Sequence, residues 1–124
     1  MPFANTVHRL FVVALLTLGS GTAAASPYTV IDLGTLGRPG SQANAINGSG
    51  VIVGGATINN GQSHAFVYQG ASMSDLGIRG SLSTAQAINN TGQIAGYYYS
   101  SSYQAFLDTG GKIKDLGTLG GNYA

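Results

Sequence analysis

The chain of 124 residues has no cysteine, no tryptophan and no glutamate, and charged residues make up only 7% of it. Without cysteine it cannot form a disulfide framework, a thiolate metal site or a cysteine nucleophile. Calcium sites need several carboxylates close together in sequence, and the four aspartates are too dispersed to supply them. We therefore expect no bound metal and no cofactor, and no residue is predicted to be catalytic.

Basic residues are equally sparse. Nucleic-acid binding rests on clustered lysine and arginine side chains that neutralise phosphates, and this chain has five such residues spread along its length. We expect no nucleic-acid partner. The basic residues are Arg9, Arg38, Arg79, Lys112 and Lys114.

Residues 1–25 have the organisation of a secretory signal peptide. A positively charged start precedes the uncharged apolar stretch Leu10–Leu18, and small residues follow, with cleavage predicted between Ala25 and Ser26. The alternative, a buried N-terminal helix, does not account for this order of features. The apolar stretch is also shorter than the roughly 20 residues that a membrane-spanning helix needs.

Cleavage would produce an exported protein, either secreted or extracellular, with the periplasm as the alternative location. The absence of cysteine at the cleavage point argues against a lipid anchor, and no later segment is predicted to span a membrane. Removal of residues 1–25 also removes Arg9. Four basic and four acidic residues then remain, so the net charge is near zero.

The rest of the chain is predicted to be all-β. Glycine, with 20 copies, costs roughly 1 kcal/mol relative to alanine inside a helix, but it suits tight turns. After residue 26, apolar residues nowhere recur at helical spacing for three turns.

Four short motifs recur in the same order, offset by about 40 to 43 residues. They are Asp-Leu-Gly at Asp32, Asp75 and Asp115, Ala-Ile-Asn at Ala45 and Ala87, Gly-x-x-x-Gly at Gly50 and Gly92, and x-Ala-Phe at His64 and Gln104. Each unit is predicted to form four short antiparallel strands joined by turns rich in asparagine and glycine. The predicted strands are 43–47, 51–57, 64–68 and 72–76, and then 85–89, 93–99, 104–108 and 112–116.

The repeat is incomplete at both ends. Residues 28–37 form the end of a partial unit with Tyr28–Leu33 as its fourth strand, 38–77 and 78–117 are complete units, and 118–124 begin a truncated one. Four strands in roughly 40–45 residues is the size of one β-propeller blade, which we favour over a parallel solenoid or a sandwich. Because a propeller closes with about four or more blades, we expect a piece of a longer array, or self-association through open repeat edges.

With these motifs in place, the chain resembles the HAF-repeat family of extracellular bacterial proteins, named for the tripeptide that stands here as His64-Ala65-Phe66. The resemblance covers about residues 28–123 and includes Asp-Leu-Gly-Thr-Leu-Gly-Gly, Ala-Ile-Asn and Gly-Gln-x-x-Gly. It departs at Gln104, where the family has histidine, and at Ile78–Ser81, where Thr-Leu-Gly-Gly is lost. The resemblance implies export and a repeat fold, and it implies no particular activity.

Residues with acid–base chemistry are few. His64 is the only histidine after the predicted cleavage point, and its counterpart is Gln104, so we expect a shared structural hydrogen bond rather than general-base catalysis. Asp32, Asp75 and Asp115 recur once per unit, which is typical of turn-forming aspartates and not of a catalytic residue.

Tyr97–Tyr99 and Tyr103 have no counterpart in the other unit. In a strand, Tyr97 and Tyr99 would share one face, and with Tyr103 they are the predicted ligand-binding residues; the alternative is that they pack in a core. We expect a non-enzymatic exported module that binds glycan or protein. The alternatives are an extracellular hydrolase or lyase acting on polysaccharide, or a fragment without independent function.

Overall fold

The computed structural model describes residues 15–18, 22–25 and 27–121. These residues form strands and no helix, which confirms the all-β prediction, and they contain no helix that could cross a membrane. The chain divides into two compact parts, Met1–Leu33 and Gly34–Ala124. In the first part, β1 (Leu15–Leu18) and β2 (Thr22–Ala25) form an antiparallel pair.

The second part is a sheet of eight strands, built from two groups of four consecutive antiparallel strands that we call the first and the second quartet. The first quartet comprises β3 (Gly37–Ile46), β4 (Ile52–Ile58), β5 (Ser63–Gln69) and β6 (Ser72–Asp75). The second comprises β7 (Leu82–Ile88), β8 (Ile94–Tyr99), β9 (Tyr103–Thr109) and β10 (Lys112–Gly117). A parallel bridge between Ser63 and Leu82 joins the quartets, and the sheet stays open within the described residues.

Most of the predicted strands agree closely with the observed ones, but the first strand of each quartet begins earlier than predicted. The prediction of a strand at Tyr28–Leu33 is wrong, since the structure has no strand there. A fourth strand pairs with the third strand of its own quartet. The chain before Tyr28 contains no copy of the x-Ala-Phe strand with which Tyr28–Leu33 could pair.

The first strand of each quartet carries a β-bulge at the same repeat position, at Asn44 in β3 and at Gln86 in β7. Opposite each bulge the neighbouring strand has a glycine, Gly54 or Gly96, because the two backbones approach too closely for a side chain. A Cβ atom on Gly96 would collide with the carbonyl oxygen of Thr84. Gly54 and Gly96, inside the predicted strands, are therefore required by close backbone approach.

The quartets pack together through β7, which lies against β3, β4 and β5. Asn44 of β3 forms hydrogen bonds with β7: its Nδ2 donates to Oγ1 of Thr84 at 3.2 Å and to the carbonyl of Ala85 at 2.7 Å. A buried apolar cluster contributed by both quartets fills the space between them. Its members are Val53, Ala65, Ile78, Ala85, Ile94 and Phe106.

The hairpin turns after β3 and β7 are built alike and contact each other. In each turn the Oδ1 of an asparagine, Asn47 or Asn89, accepts hydrogen bonds from the backbone amides two and four residues further on, at 2.9 to 3.1 Å. Nδ2 of Asn47 donates to the carbonyl of Asn89 at 3.2 Å. These two residues are 42 positions apart, so the quartets meet at equivalent repeat positions.

Candidate functional site

The three predicted ligand-binding tyrosines come together on one face of the second quartet. Tyr97 and Tyr99 of β8 lie on the same side as Tyr103 of β9, whereas Tyr98 lies on the other side, as strand alternation predicts. The ring centroids of Tyr97 and Tyr103 are 5.7 Å apart in an edge-to-face arrangement, and those of Tyr99 and Tyr103 are 5.0 Å apart. We call Tyr97, Tyr99 and Tyr103 the tyrosine cluster.

Two hollows adjoin the tyrosine cluster. The first, of about 350 Å³, is bordered by Tyr97, and the second, of about 400 Å³, is bordered by Tyr99 and Tyr103. Both are lined by Ser63 and Leu82, the residues that bridge the quartets, so the hollows are neighbours on one face, and we call the two together the groove. The residues that line this groove are aromatic, amide, hydroxyl or apolar, and none of them is charged.

The amide side chains of the groove were not predicted from the sequence, because they come from distant parts of the chain. Gln42 and Asn44 lie on β3, Gln62 follows the turn after β4, and Gln86 lies on β7. The one signal in the sequence is that Asn44 and Gln86 carry amides at the same repeat position. That position is the β-bulge, which turns the two side chains towards the groove.

The repeat positions of the tyrosine cluster hold small residues in the first quartet, namely Gly55, Thr57 and Ser63. Their small size matters, because a Cβ atom on Gly55 would lie 3.0 Å from Oγ1 of Thr84 on β7. A strand could not cross the second quartet as closely as β7 crosses the first, since the ring of Tyr97 takes that space. The two quartets therefore differ on this face, because the first carries small residues there and the second carries the tyrosine cluster.

His64 and Gln104 each hold the aspartate of their own quartet. Nδ1 of His64 lies 2.6 Å from Oδ2 of Asp75. When the side-chain amide of Gln104 is oriented with its nitrogen towards the carboxylate, which satisfies both groups, this nitrogen donates to Oδ2 of Asp115 at 2.9 Å. Oδ1 of each aspartate accepts from the backbone amide two residues further on, at 2.7 and 2.8 Å. The predictions of a shared structural hydrogen bond and of turn-forming aspartates are confirmed at these positions.

His64 does not form a nucleophile–base pair with Ser41, the serine that lies in the same cross-strand row of residues. Ser41, Ala56 and His64 are cross-strand neighbours, so Ser41 lies two strands from the imidazole, roughly 10 Å away. The hydroxyl of Ser41 donates instead to the carbonyl of Gly34 at 2.9 Å. A general base must lie within hydrogen-bond reach of the group that it activates.

The aspartates of the two quartets lie away from the groove. Asp75 and Asp115 are engaged in the contacts above, and Asp108 is 5% exposed, on the same side of β9 as Phe106. Within residues 15–18, 22–25 and 27–121, no three histidine or carboxylate side chains are grouped so that they could hold a metal ion.

Asp115 should make part of the stability dependent on pH. The Tyr98 hydroxyl, which donates at 2.7 Å, and then the amide of Gly117 hold the pKa of Asp115 below its ordinary value of 3.8. A carboxyl with a lowered folded-state pKa contributes stability above its unfolded pKa, and this contribution is lost as the pH falls through the folded value. We expect the difference in urea midpoint between wild type and Asp115→Asn to be largest near neutral pH and to shrink below about pH 4. A difference that is constant between about pH 3 and pH 7 would contradict this assignment.

The predicted signal-peptide cleavage site is only partly within the described residues. Ala25 is the last residue of β2, and Ser26 lies outside the described residues, as does most of the predicted signal peptide. Cleavage between Ala25 and Ser26 stays a prediction.

The fold and the groove define a class of protein: all-β, with an uncharged aromatic groove where two groups of four strands meet. Comparisons with protein-family models, with curated protein sequences and with solved structures found no match.

Proposed function

We propose that this protein is an exported, non-enzymatic module that binds glycan chains in the groove beside the tyrosine cluster. The observation that carries the proposal is the replacement of Gly55, Thr57 and Ser63 by tyrosines at the same repeat positions of the second quartet. Residues that serve packing in the first quartet thus have large, partly exposed aromatic counterparts in the second. Large aromatic side chains do not allow the close strand approach that Gly55 allows to Thr84, and they suit contact with a flat ligand.

The composition of the groove supports a sugar ligand. A pyranose ring offers an apolar face bordered by hydroxyl groups, and tyrosine combines a flat apolar ring with a hydroxyl. The amides of Gln42, Gln62 and Gln86 can donate and accept hydrogen bonds, as paired sugar hydroxyls require. A few polar groups placed around an apolar surface are typical of small-molecule sites.

Export, the HAF-repeat resemblance and blade-like packing belong to the same proposal. The signal-peptide pattern of residues 1–25 supports export. The equivalent contact of Asn47 with Asn89, 42 positions apart, supports blade-like units of the kind that a β-propeller stacks around an axis. On this proposal the groove lies where one blade meets the next.

The test is a glycan array probed with the protein, followed by titration with the polysaccharides that bind. We expect Tyr97→Ala and Tyr103→Ala each to weaken binding at least tenfold, because loss of a central aromatic contact costs about 2 kcal/mol or more. Tyr68→Ala is the matched control, since Tyr68 pairs with Met73 and Ile52 in the first quartet and does not line the groove. Circular dichroism of each variant checks that the sheet is intact.

Two outcomes would overturn the proposal. The first is an array without binding although the protein is folded, or binding that Tyr97→Ala and Tyr103→Ala leave unchanged. The second is turnover, detected as new reducing ends or as unsaturated products, which would favour the hydrolase or lyase alternative.

A further inference from the structure

The tyrosine cluster is one end of a longer strip on the same face of the second quartet. Side chains alternate along β9, so Tyr103, Leu107 and Thr109 lie on this face. In the pairing of β9 with β10, Lys114 is directly opposite Leu107 and Lys112 is directly opposite Thr109. Residues directly opposite each other in an antiparallel pair project to the same side, so both lysines belong to this face.

The two lysines give the far end of the strip a positive charge. Both are exposed, and neither has an ion-pair partner among the described residues. The acidic side chains of β9 and β10, Asp108 and Asp115, project to the opposite face, where Phe106 and Tyr98 lie. The charge of the lysines is therefore not neutralised by an acidic residue of these two strands on their own face.

The lysines, like the tyrosines, are a difference between the quartets. Their counterparts in the first quartet are Ser72 and Ser74, which are neutral. The second quartet thus replaces small neutral residues by aromatic ones at one end of a face and by cationic ones at the other. Because both changes lie on one face, one elongated ligand can contact both ends.

We infer that the ligand is an acidic polysaccharide, which lies along β9 with sugar rings on the tyrosine cluster and carboxylate or sulfate groups on Lys112 and Lys114. Leu107, the residue opposite Lys114, is four positions along β9 from Tyr103, which corresponds to about 13 Å along a strand. A single sugar ring cannot bridge this span, whereas an oligosaccharide can. Ammonium groups form strong charge-assisted hydrogen bonds with carboxylates. The inference rests on the proposed glycan binding and adds the charge and the minimum extent of the glycan.

The experiment compares two ligands with the same sugar backbone, one with free carboxylates and one in which methyl esters remove the charge. Oligomers of galacturonic acid and their methyl esters share one backbone, and each is titrated into the full protein by calorimetry in a size series from the disaccharide upward. We expect the acidic oligomers to bind at least tenfold more tightly than the esters once they are long enough to reach the lysines. Added salt should reduce this advantage, because it screens exposed charges.

Single and combined variants separate the two ends of the strip. The variant with both Lys112→Gln and Lys114→Gln should lose the tenfold advantage of the acidic oligomers and keep the binding of the esters. Tyr97→Ala should weaken both ligands. Arg79→Gln is the control, because it removes the same charge near Tyr98, on the other face, and should leave both affinities unchanged.

The outcomes distinguish the inference from the proposed function. If esters and acids bind equally and the lysine variants match wild type, the inference fails and glycan binding stands. If neither ligand binds and the glycan array is also empty, both fail. If acidic oligomers bind through the lysines but ignore the tyrosines, the contact is simple ion pairing and the inference is overturned. Equal binding of poly-aspartate through the same residues would overturn it in favour of an acidic peptide.

Discussion

Gly96→Ala should lower the free energy of unfolding by about 3 kcal/mol or more, the upper end of what overpacking costs. The added Cβ would collide with the carbonyl oxygen of Thr84 and would lie 2.9 Å from Cα of Ala85 and from Cε1 of Phe106. Two of these three contacts are with backbone atoms of β7, which cannot turn away as a flexible side chain can. The bulge at Gln86 would have to open, and with it the packing of β7 against the first quartet.

Gly92→Ala is the matched control for this prediction. Gly92 lies in the turn before β8 with a φ of 84°, and a Cβ atom there would have no neighbour within 4 Å. Its cost is limited to the left-handed backbone, about 1 to 2 kcal/mol. Urea unfolding of both variants measures the difference. Equal losses at Gly92 and Gly96 would show that close approach of the strands is not what Gly96 provides.

Phe106→Ala should cost about 3 to 5 kcal/mol, as is usual when a buried phenylalanine is truncated and leaves a cavity. Phe106 is fully buried and belongs to the cluster that contains residues of both quartets. Its loss should therefore weaken the joint between the quartets as well as the second quartet itself. Small domains have a total stability of about 5 to 15 kcal/mol, so the loss is a large share of it and this variant should unfold at a much lower temperature than wild type.

Leu119→Ala tests whether burial is the cause of that loss. Leu119 follows β10 and is fully exposed. Its truncation should change the free energy of unfolding by no more than about 0.5 kcal/mol. Thermal unfolding followed by circular dichroism compares the two. A Phe106→Ala protein as stable as Leu119→Ala would contradict the assignment of the core.

Local rules predicted much of the geometry around individual residues. The period of two along a strand placed Tyr97 and Tyr99 on one face and Tyr98 on the other without any knowledge of the sheet. The repetition of Asp75 and Asp115 before Leu-Gly predicted turn formation, because an aspartate can accept a hydrogen bond from the amide two residues on. These predictions succeeded since they depend only on neighbours in the sequence or on comparison of one repeat with the other.

Predictions that needed a partner elsewhere in the chain succeeded less often. Tyr28–Leu33 has the composition of a strand but no third strand to pair with among the described residues, so composition alone led to a wrong prediction. The early starts of β3 and β7 also depend on pairing, because polar residues such as Gln42 and Thr84 join a strand once a neighbouring backbone lies alongside them. Strand pairing is a long-range property, and no local signal reports it.

The sequence by itself determined that the protein is all-β, that its motifs recur with about 40 to 43 residues between copies, and which tyrosines share a face. Each of these follows from periodicity in the order of the residues, which can be read without knowing the fold. Only the tertiary structure decided that Tyr97, Tyr99 and Tyr103 border a groove with amide side chains from β3 and β7, and that Lys112 and Lys114 lie further along the same face. The reason is that strand register and the crossing of β7 over the first quartet are set by packing between residues far apart in the chain, and a side chain acquires a site only when that packing places its neighbours.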